Sequence, residues 1–180
     1  MAWTAPMTAL ANTPFTAAQF NTHVRDNLLE TAPAKAANAG SYFAVAGTNY
    51  IVERVPIGTI VSTTGTTQST AWTTLASAGP TVTVDTGPRA LVMLYAALVN
   101  TSSSSQSARM GFVVSGATNL AANTARALVA SGSGGVAQRV GVSFLVNLTP
   151  GSNTFSCRYS SSSGSTTASF SDRQILVFPL

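Results

Sequence analysis

The sequence predicts a mainly β protein, an antiparallel β-sandwich or jelly roll preceded by a short N-terminal arm and helix. Three observations carry this. Strand-like runs alternate with turn chemistry throughout residues 50–180. Several of those runs put apolar residues on one parity and polar residues on the other, as a sheet with one covered face requires. A single helical pattern stands before them, and none lies between them to cross from one parallel strand to the next.

The arm comes first. The opening Met1-Ala-Trp-Thr-Ala-Pro has neither helical nor strand period, and Trp3 is its only large group. Thr16 and Gln19 have capping-box spacing, and Phe15 and Phe20 are placed to form a hydrophobic staple around it. Phe20, Val24 and Leu28 recur every four residues as one apolar stripe, with His23, Arg25, Asp26, Asn27 and Glu30 mostly beside it. Pro33 stops the pattern, which predicts a helix over about 17–30. So short a helix has no core of its own and must pack on the body or on another protein. Trp3 has the same choice: it folds back onto its own domain or anchors in a neighbour, as aromatic residues do at interface hot spots. Residues 32–49, rich in Ala, Gly and Asn, read as a linker or extended arm. The expected division is therefore 1–49, an arm, helix and linker, and 50–180, a sandwich head.

Within the head, strands are expected near 50–55, 57–63, 70–76, 80–85, 89–99, 107–114, 124–130, 136–147, 153–160 and 168–178. Serine runs at 102–105 and 160–163 and a Gly-Ser-Gly-Gly tip at 132–135 are among the turns between them. Eight to ten short strands in about 130 residues point to a sandwich or jelly roll. Val136, Val140, Val142, Phe144 and Val146 share one face, with Arg139, Ser143 and Asn147 on the other. Ala108, Met110, Phe112 and Val114 oppose Arg109, and Phe155, Cys157 and Tyr159 oppose Thr154, Ser156 and Arg158. Cys157 thus reads as a small core hydrophobe.

The segment 89–99 is apolar on both parities. Such a strand is either central and covered on both sides or lies in a subunit contact; a two-layer sandwich gives a strand only one core face, which favours the contact and places Leu91, Met93 and Tyr95 in it. Arg109, Arg139 and Arg158 on polar faces are either solvated or meet carboxylates and carbonyls across the same kind of boundary, for which the planar guanidinium is better suited than lysine.

Composition agrees with an assembly. Charged residues are 8% of the 180, against roughly 25% in ordinary soluble domains. Charge depletion marks interface cores. The net charge of +4 does not point to nucleic acid, because the chain has one lysine, Lys35, and its arginines are scattered singly. The longest apolar stretch, Ala90 to Val99, is half the length of a membrane span. The single Cys157 excludes an internal disulfide.

Catalytic chemistry is hard to assemble from these residues. His23 is the only histidine and stands ahead of the body, and nothing marks a nucleophile turn. One His, one Cys and five scattered acids give no transition-metal spacing. The glycines at 132–135 lack the Gly-Lys-Ser/Thr of a phosphate loop. The expectation is a non-enzyme with no cofactor.

Two stretches carry a resemblance. Met-Ala-Trp-Thr-Ala-Pro-Met-Thr-Ala at 1–9, with Phe-Thr-Ala-Ala-Gln-Phe-Asn-Thr-His-Val-Arg-Asp-Asn-Leu-Leu-Glu-Thr-Ala-Pro-Ala-Lys-Ala at 15–36, resembles the start of small virion proteins of tailed bacteriophages of actinobacteria. Leu-Thr-Pro-Gly-Ser-Asn-Thr-Phe at 148–155 and Asp-Arg-Gln-Ile-Leu-Val-Phe-Pro-Leu at 172–180 are similar to the last strands of their jelly-roll heads. Those proteins are usually described as minor tail or structural proteins. The resemblance implies a virion component made in the bacterial host cytoplasm, on capsid or tail.

Two functions follow as expectations. In the first, Trp3, Phe15, Phe20, Val24 and Leu28 dock the arm on other capsid or tail proteins, and the head forms a homo-oligomer, a trimer being the expected form. Capsid decoration and host attachment fall within this reading. In the second, the chain is a receptor-binding tail-tip module whose Ser- and Gly-rich loops take a host-surface glycan, with Trp72, Tyr95 and Tyr159 as candidate sugar platforms.

Overall fold

A computed structural model describes residues 3–101, 106–131 and 134–180. These gather into two compact units, Met1–Val55 and Pro56–Leu180. The serine run 102–105 and the first half of the 132–135 tip lie outside the described residues.

The capping box forms in the first unit. The Gln19 amide donates to Thr16 Oγ1 (3.2 Å), and Gln19 Oε1 accepts from the Thr16 amide (2.9 Å). Phe15 and Phe20 meet edge to face at 6.2 Å. Helical backbone then runs through α1 (Ala17–Phe20), a π-helical turn (Asn21–Arg25) and α2 (Asp26–Leu29), close to the expected span. Thr31 is extended, and Pro33 belongs to a further short turn, α3 (Ala32–Lys35). The proline ends one helix and sits in the first turn of the next, where its missing N–H costs nothing.

The expected linker at 32–49 is instead ordered. Strand β1 (Tyr42–Gly47) pairs antiparallel with β2 (Tyr50–Arg54) around Asn49, whose φ is +54°. Strand β2 therefore belongs with the arm, and the division falls after Val55. Ala, Gly and Asn content concealed the hairpin because Tyr42, Phe43 and Val45 are thinly spaced among small residues.

The second unit is a β-sandwich. Its strands are β3 (Ile57–Val61), β4 (Gly65–Thr67), β5 (Thr81–Thr86), β6 (Arg89–Asn100), β7 (Ser107–Gly116), β8 (Ala127–Ser131), β9 (Gln138–Asn147), β10 (Gly151–Ser161) and β11 (Ala168–Pro179). One sheet runs β3-β11-β6-β9, with β4 also on β11, and the other runs β5-β10-β7-β8. Every pairing is antiparallel, and the pairs are nested: β3 with β11, β5 with β10, β6 with β9, β7 with β8. That wrapping is a jelly roll. The expected strand at 70–76 reduces to one bridge, Thr73 to Tyr159. Expected strand 124–130 begins as a 3₁₀ turn (Thr124–Arg126), where Asn123 Oδ1 accepts from the Arg126 amide (3.1 Å).

The core lies between the sheets. Val92, Leu94 and Leu98 of β6, Met110 and Phe112 of β7, Phe155, Cys157 and Tyr159 of β10, and Ile175 and Val177 of β11 are buried there. Phe112 lies 6.2 Å from Phe155 and 6.3 Å from Phe144. Val136, expected on the inward face of its strand, stands before β9 and is exposed. In β11 the register shifts between Ser171 and Gln174, with Asp172 at φ +49°. The extra residue changes the inward parity from Ala168 and Phe170 to Arg173, Ile175 and Val177.

Candidate functional site

In the first unit the helix turns its polar side inward. Asn27 Oδ1 accepts from the Thr4 amide (2.9 Å), and its Nδ2 donates to the Thr4 and His23 carbonyls. His23 Nδ1 lies 3.1 Å from the Ala5 carbonyl, and the Trp3 amide donates to the Asn49 carbonyl (3.0 Å). These bonds lay residues 3–5 along the helix and the β1–β2 turn. Asn27 is the only buried residue among those described in this unit.

The expected apolar stripe is therefore not what seats the helix in its own unit. Phe20 is 48% and Leu28 60% exposed, and Val24 is half-buried. Leu10, Phe15, Leu29 and Val45 are exposed too. Trp3, 41% exposed, borders a concavity of about 360 Å³ with Val45, Tyr50 and Ile51. Phe15 borders a different one of about 260 Å³, with Met7, Leu10 and Pro14. The five docking candidates thus occupy one unit but not one patch.

The six interface candidates divide between the two outer faces of the head. Leu91, Met93 and Tyr95 point outward from β6, and Arg139 projects from the same face of β9. Arg109 and Arg158 lie on the outer face of the opposite sheet, so they do not belong to the same surface.

The first face is apolar and ordered in rows. Tyr95 stands between Gln174 and Gly141, Met93 between Leu176 and Ser143, and Leu91 between Phe178 and Leu145. Ile60 on β3 pairs with Gln174, extending the first row. Leu145 and Ile60 are each 59% exposed. A Cβ on Gly141 would sit 2.6 Å from Tyr95 ring carbons, and one on Gly58 would sit 2.8 Å from Leu176 Cδ1. Both side chains therefore lie down across glycines. At one end a concavity of about 360 Å³ is bordered by Ile60, Tyr95, Arg139, Gly141, Asp172 and Gln174. Arg139 and Asp172 form an exposed ion pair there (3.0 Å).

The second face is wet. Thr83 and Thr154 share a hydrogen bond (2.8 Å), as do Thr81 and Ser156 (3.2 Å). Arg109 Nε donates to Ser107 Oγ (3.1 Å), and Arg158 donates to the Cys157 carbonyl (3.0 Å).

Of the candidate sugar platforms, Tyr159 is fully buried. Trp72 is half-buried with its ring close over Gly111. Tyr95 is the exposed one, at 38%. Hydroxyls of the second serine run are used internally. Ser162 Oγ accepts from the Ser107 amide (2.7 Å) and donates to Gln106 (2.8 Å), and Ser161 Oγ donates to the Thr166 carbonyl (3.2 Å). Burial pushes the Cys157 thiol up to about 12, which makes it a core group. Among the described residues no three His, Cys, Asp or Glu side chains gather, and no helix is long and apolar enough to cross a membrane.

Sequence reasoning missed Ile60, Leu145, Leu176 and Phe178. Leu145 is an apolar residue on the parity of Arg139 and Ser143, and that irregularity was the available signal. The β11 bulge hid Leu176 and Phe178.

No protein-family profile matches the chain, and no curated protein matches it. Among solved structures it is similar to the C-terminal CBM6 of LamC, a marine laminarinase from Zobellia galactanivorans. Identity is 13%, over 82% of this chain and 94% of that one, with a TM-score of 0.31. That likeness is too slight to carry a functional inference.

Proposed function

We propose that this chain is a non-enzymatic structural protein of a bacteriophage particle. Residues 1–55 attach it to other capsid or tail proteins, and the β head stands as an oligomeric surface appendage, a trimer in its expected form. One observation supports this above the others. The first unit buries a single described residue, the polar Asn27, while Leu10, Phe15, Phe20, Leu28, Leu29 and Val45 are exposed. A unit this small, with its apolar groups outside, gains stability by burying them on something else. The resemblance of residues 1–36 to virion proteins supports a phage particle as that partner.

The test is attachment. Purified particles lacking the protein are incubated with the full chain, and bound protein is measured by quantitative mass spectrometry. The wild type is expected to bind, and Phe20→Glu with Leu28→Glu to lose binding with the head still folded. Equal binding by the double variant, or none by the wild type, rejects the reading.

A glycan-binding tail-tip role is the second reading. Tyr95 with Arg139, Asp172 and Gln174 at one concavity is the observation that favours it. A glycan array probed with wild type and Tyr95→Ala tests it directly.

A further inference from the structure

We propose that the outer face of sheet β3-β11-β6-β9 is where copies of this chain meet, and that the opposite sheet faces outward to solvent. This deepens the oligomeric part of the proposed function and rests on it. The two outer faces differ in kind. One carries Leu91, Met93, Tyr95, Leu145, Leu176 and Phe178 in register across three strands. On the other, β5 and β10 carry Thr and Ser hydroxyls satisfied against one another, and Val113 and Val129 stand beside Ser156 and Arg109 and form no apolar row. A contiguous apolar patch on a soluble protein marks an interaction surface.

The occupant follows from shape and charge. Tyr95 and Leu176 lie flat over Gly141 and Gly58, and Leu145 and Ile60 are the apolar groups left most exposed to meet another sheet. Sheets pack face to face about 10 Å apart. Charge is confined to the ends. Arg139 and Asp172 share one end, and Arg89 lies on the same parity of β6 at the other. An apolar centre with both signs at its rim is the anatomy of a specific interface. It is also its own complement: a second copy brings a carboxylate for an arginine and an arginine for a carboxylate, and two copies joined through the same face about a two-fold axis form a dimer in place of the trimer expected from the sequence. Neither a basic nor an acidic partner is favoured by such a rim, and an anionic membrane finds no cluster of cations.

The test uses the full chain at about 10 µM, within reach of weak specific interfaces. Sedimentation velocity gives the assembly state and thermal melting gives the fold. Leu145→Glu and Ile60→Glu sit at positions already 59% exposed, so the fold is expected to survive. Each is expected to weaken self-association about 30-fold or more, the effect of losing an interface hot spot. Val129→Glu, on the opposite outer face beside Arg109, is expected to assemble as wild type. A single-copy wild type, or assembly unchanged by both face variants, overturns the proposal. So does dissociation by Val129→Glu equal to theirs. A Tyr95-dependent glycan-array signal with the wild type in single copies assigns the face to saccharide instead. Particle attachment by residues 1–55 is scored separately, so a single-copy Leu145→Glu that still attaches leaves the attachment reading standing.

Discussion

Arg173 sets its guanidinium 5.5 Å from the centre of the Tyr159 ring, and both side chains are fully buried in the sandwich. Its Nη1 donates to the Ser77 carbonyl (3.1 Å) and its Nη2 to the Thr63 carbonyl (2.9 Å). Those acceptors lie in the connections on either side of β4, so one side chain of β11 fastens both. Arg173→Ala leaves two carbonyls unpaired beside a cavity. The expected cost is about 3–5 kcal/mol, read from the midpoint of urea unfolding. Arg173→Lys recovers only part, because lysine keeps the charge without the fork.

Asn27 holds Thr4 at both its amide and its carbonyl. Asn27→Leu keeps the branched shape and removes both bonds. The opening segment is expected to detach, with the amides of Trp3 and Thr4 exchanging hydrogen faster. The first unit loses about 1–3 kcal/mol, the penalty for stranded polar groups.

Glu53 ties down the turn before β1. Its carboxylate accepts from the Ser41 hydroxyl (2.6 Å) and from the amides of Asn38 (2.8 Å) and Ala37 (2.9 Å). These bonds, that of Ser41 foremost, lower its pKa from 4.5 to about 2. A carboxylate depressed in the folded state stabilises above its unfolded pKa and loses that effect as pH falls toward the folded one. The turn at 36–41 is expected to hold above pH 4.5 and to open between pH 4.5 and 2. Amide exchange at Ala37 and Asn38 followed by NMR reports it, and Glu53→Gln is expected to speed that exchange at neutral pH.

Cys157 lies between Phe155 and Tyr159 on the inward face of β10, with burial holding the thiol protonated. A thiol reagent at pH 8 is expected to label it only through opening of the sandwich. Its labelling rate should follow global unfolding across a urea series. Rapid labelling without denaturant would contradict the packing described.

Gly141→Ala places a methyl group against the Tyr95 ring. The ring is partly exposed and can lift, so stability is expected to change by about 1 kcal/mol or less. The lifted ring roughens the face, and self-association is expected to weaken about tenfold in sedimentation.

Much of the head was legible because parity is a strict code. Ala108, Met110, Phe112 and Val114 alternate with Arg109, and all four are buried. The capping box was equally legible, since Thr16 and Gln19 act within one turn. Parity failed where the backbone adds a residue. Asp172 at φ +49° moves Arg173 into the core and leaves Leu176 and Phe178 outside, which no alternation in 168–178 reveals. The inward side of the helix was not legible in its stripe. Phe20, Val24 and Leu28 are the apolar residues, but the bonds of Asn27 to Thr4 decide which side faces inward. The candidate interface was half legible: Leu91, Met93 and Tyr95 announce a second apolar face, whereas the sheet assigned to each arginine depends on strand order.

Nested pairing also governs how the head comes into being. Strand β11 closes against β3, β4 and β6, and it is made after all three. Until β11 has left the ribosome, β3 and β4 have no partner in that layer and β6 has only β9. Such distant pairings form slowly, so synthesis leaves the nascent head open to aggregation for as long as β11 is missing.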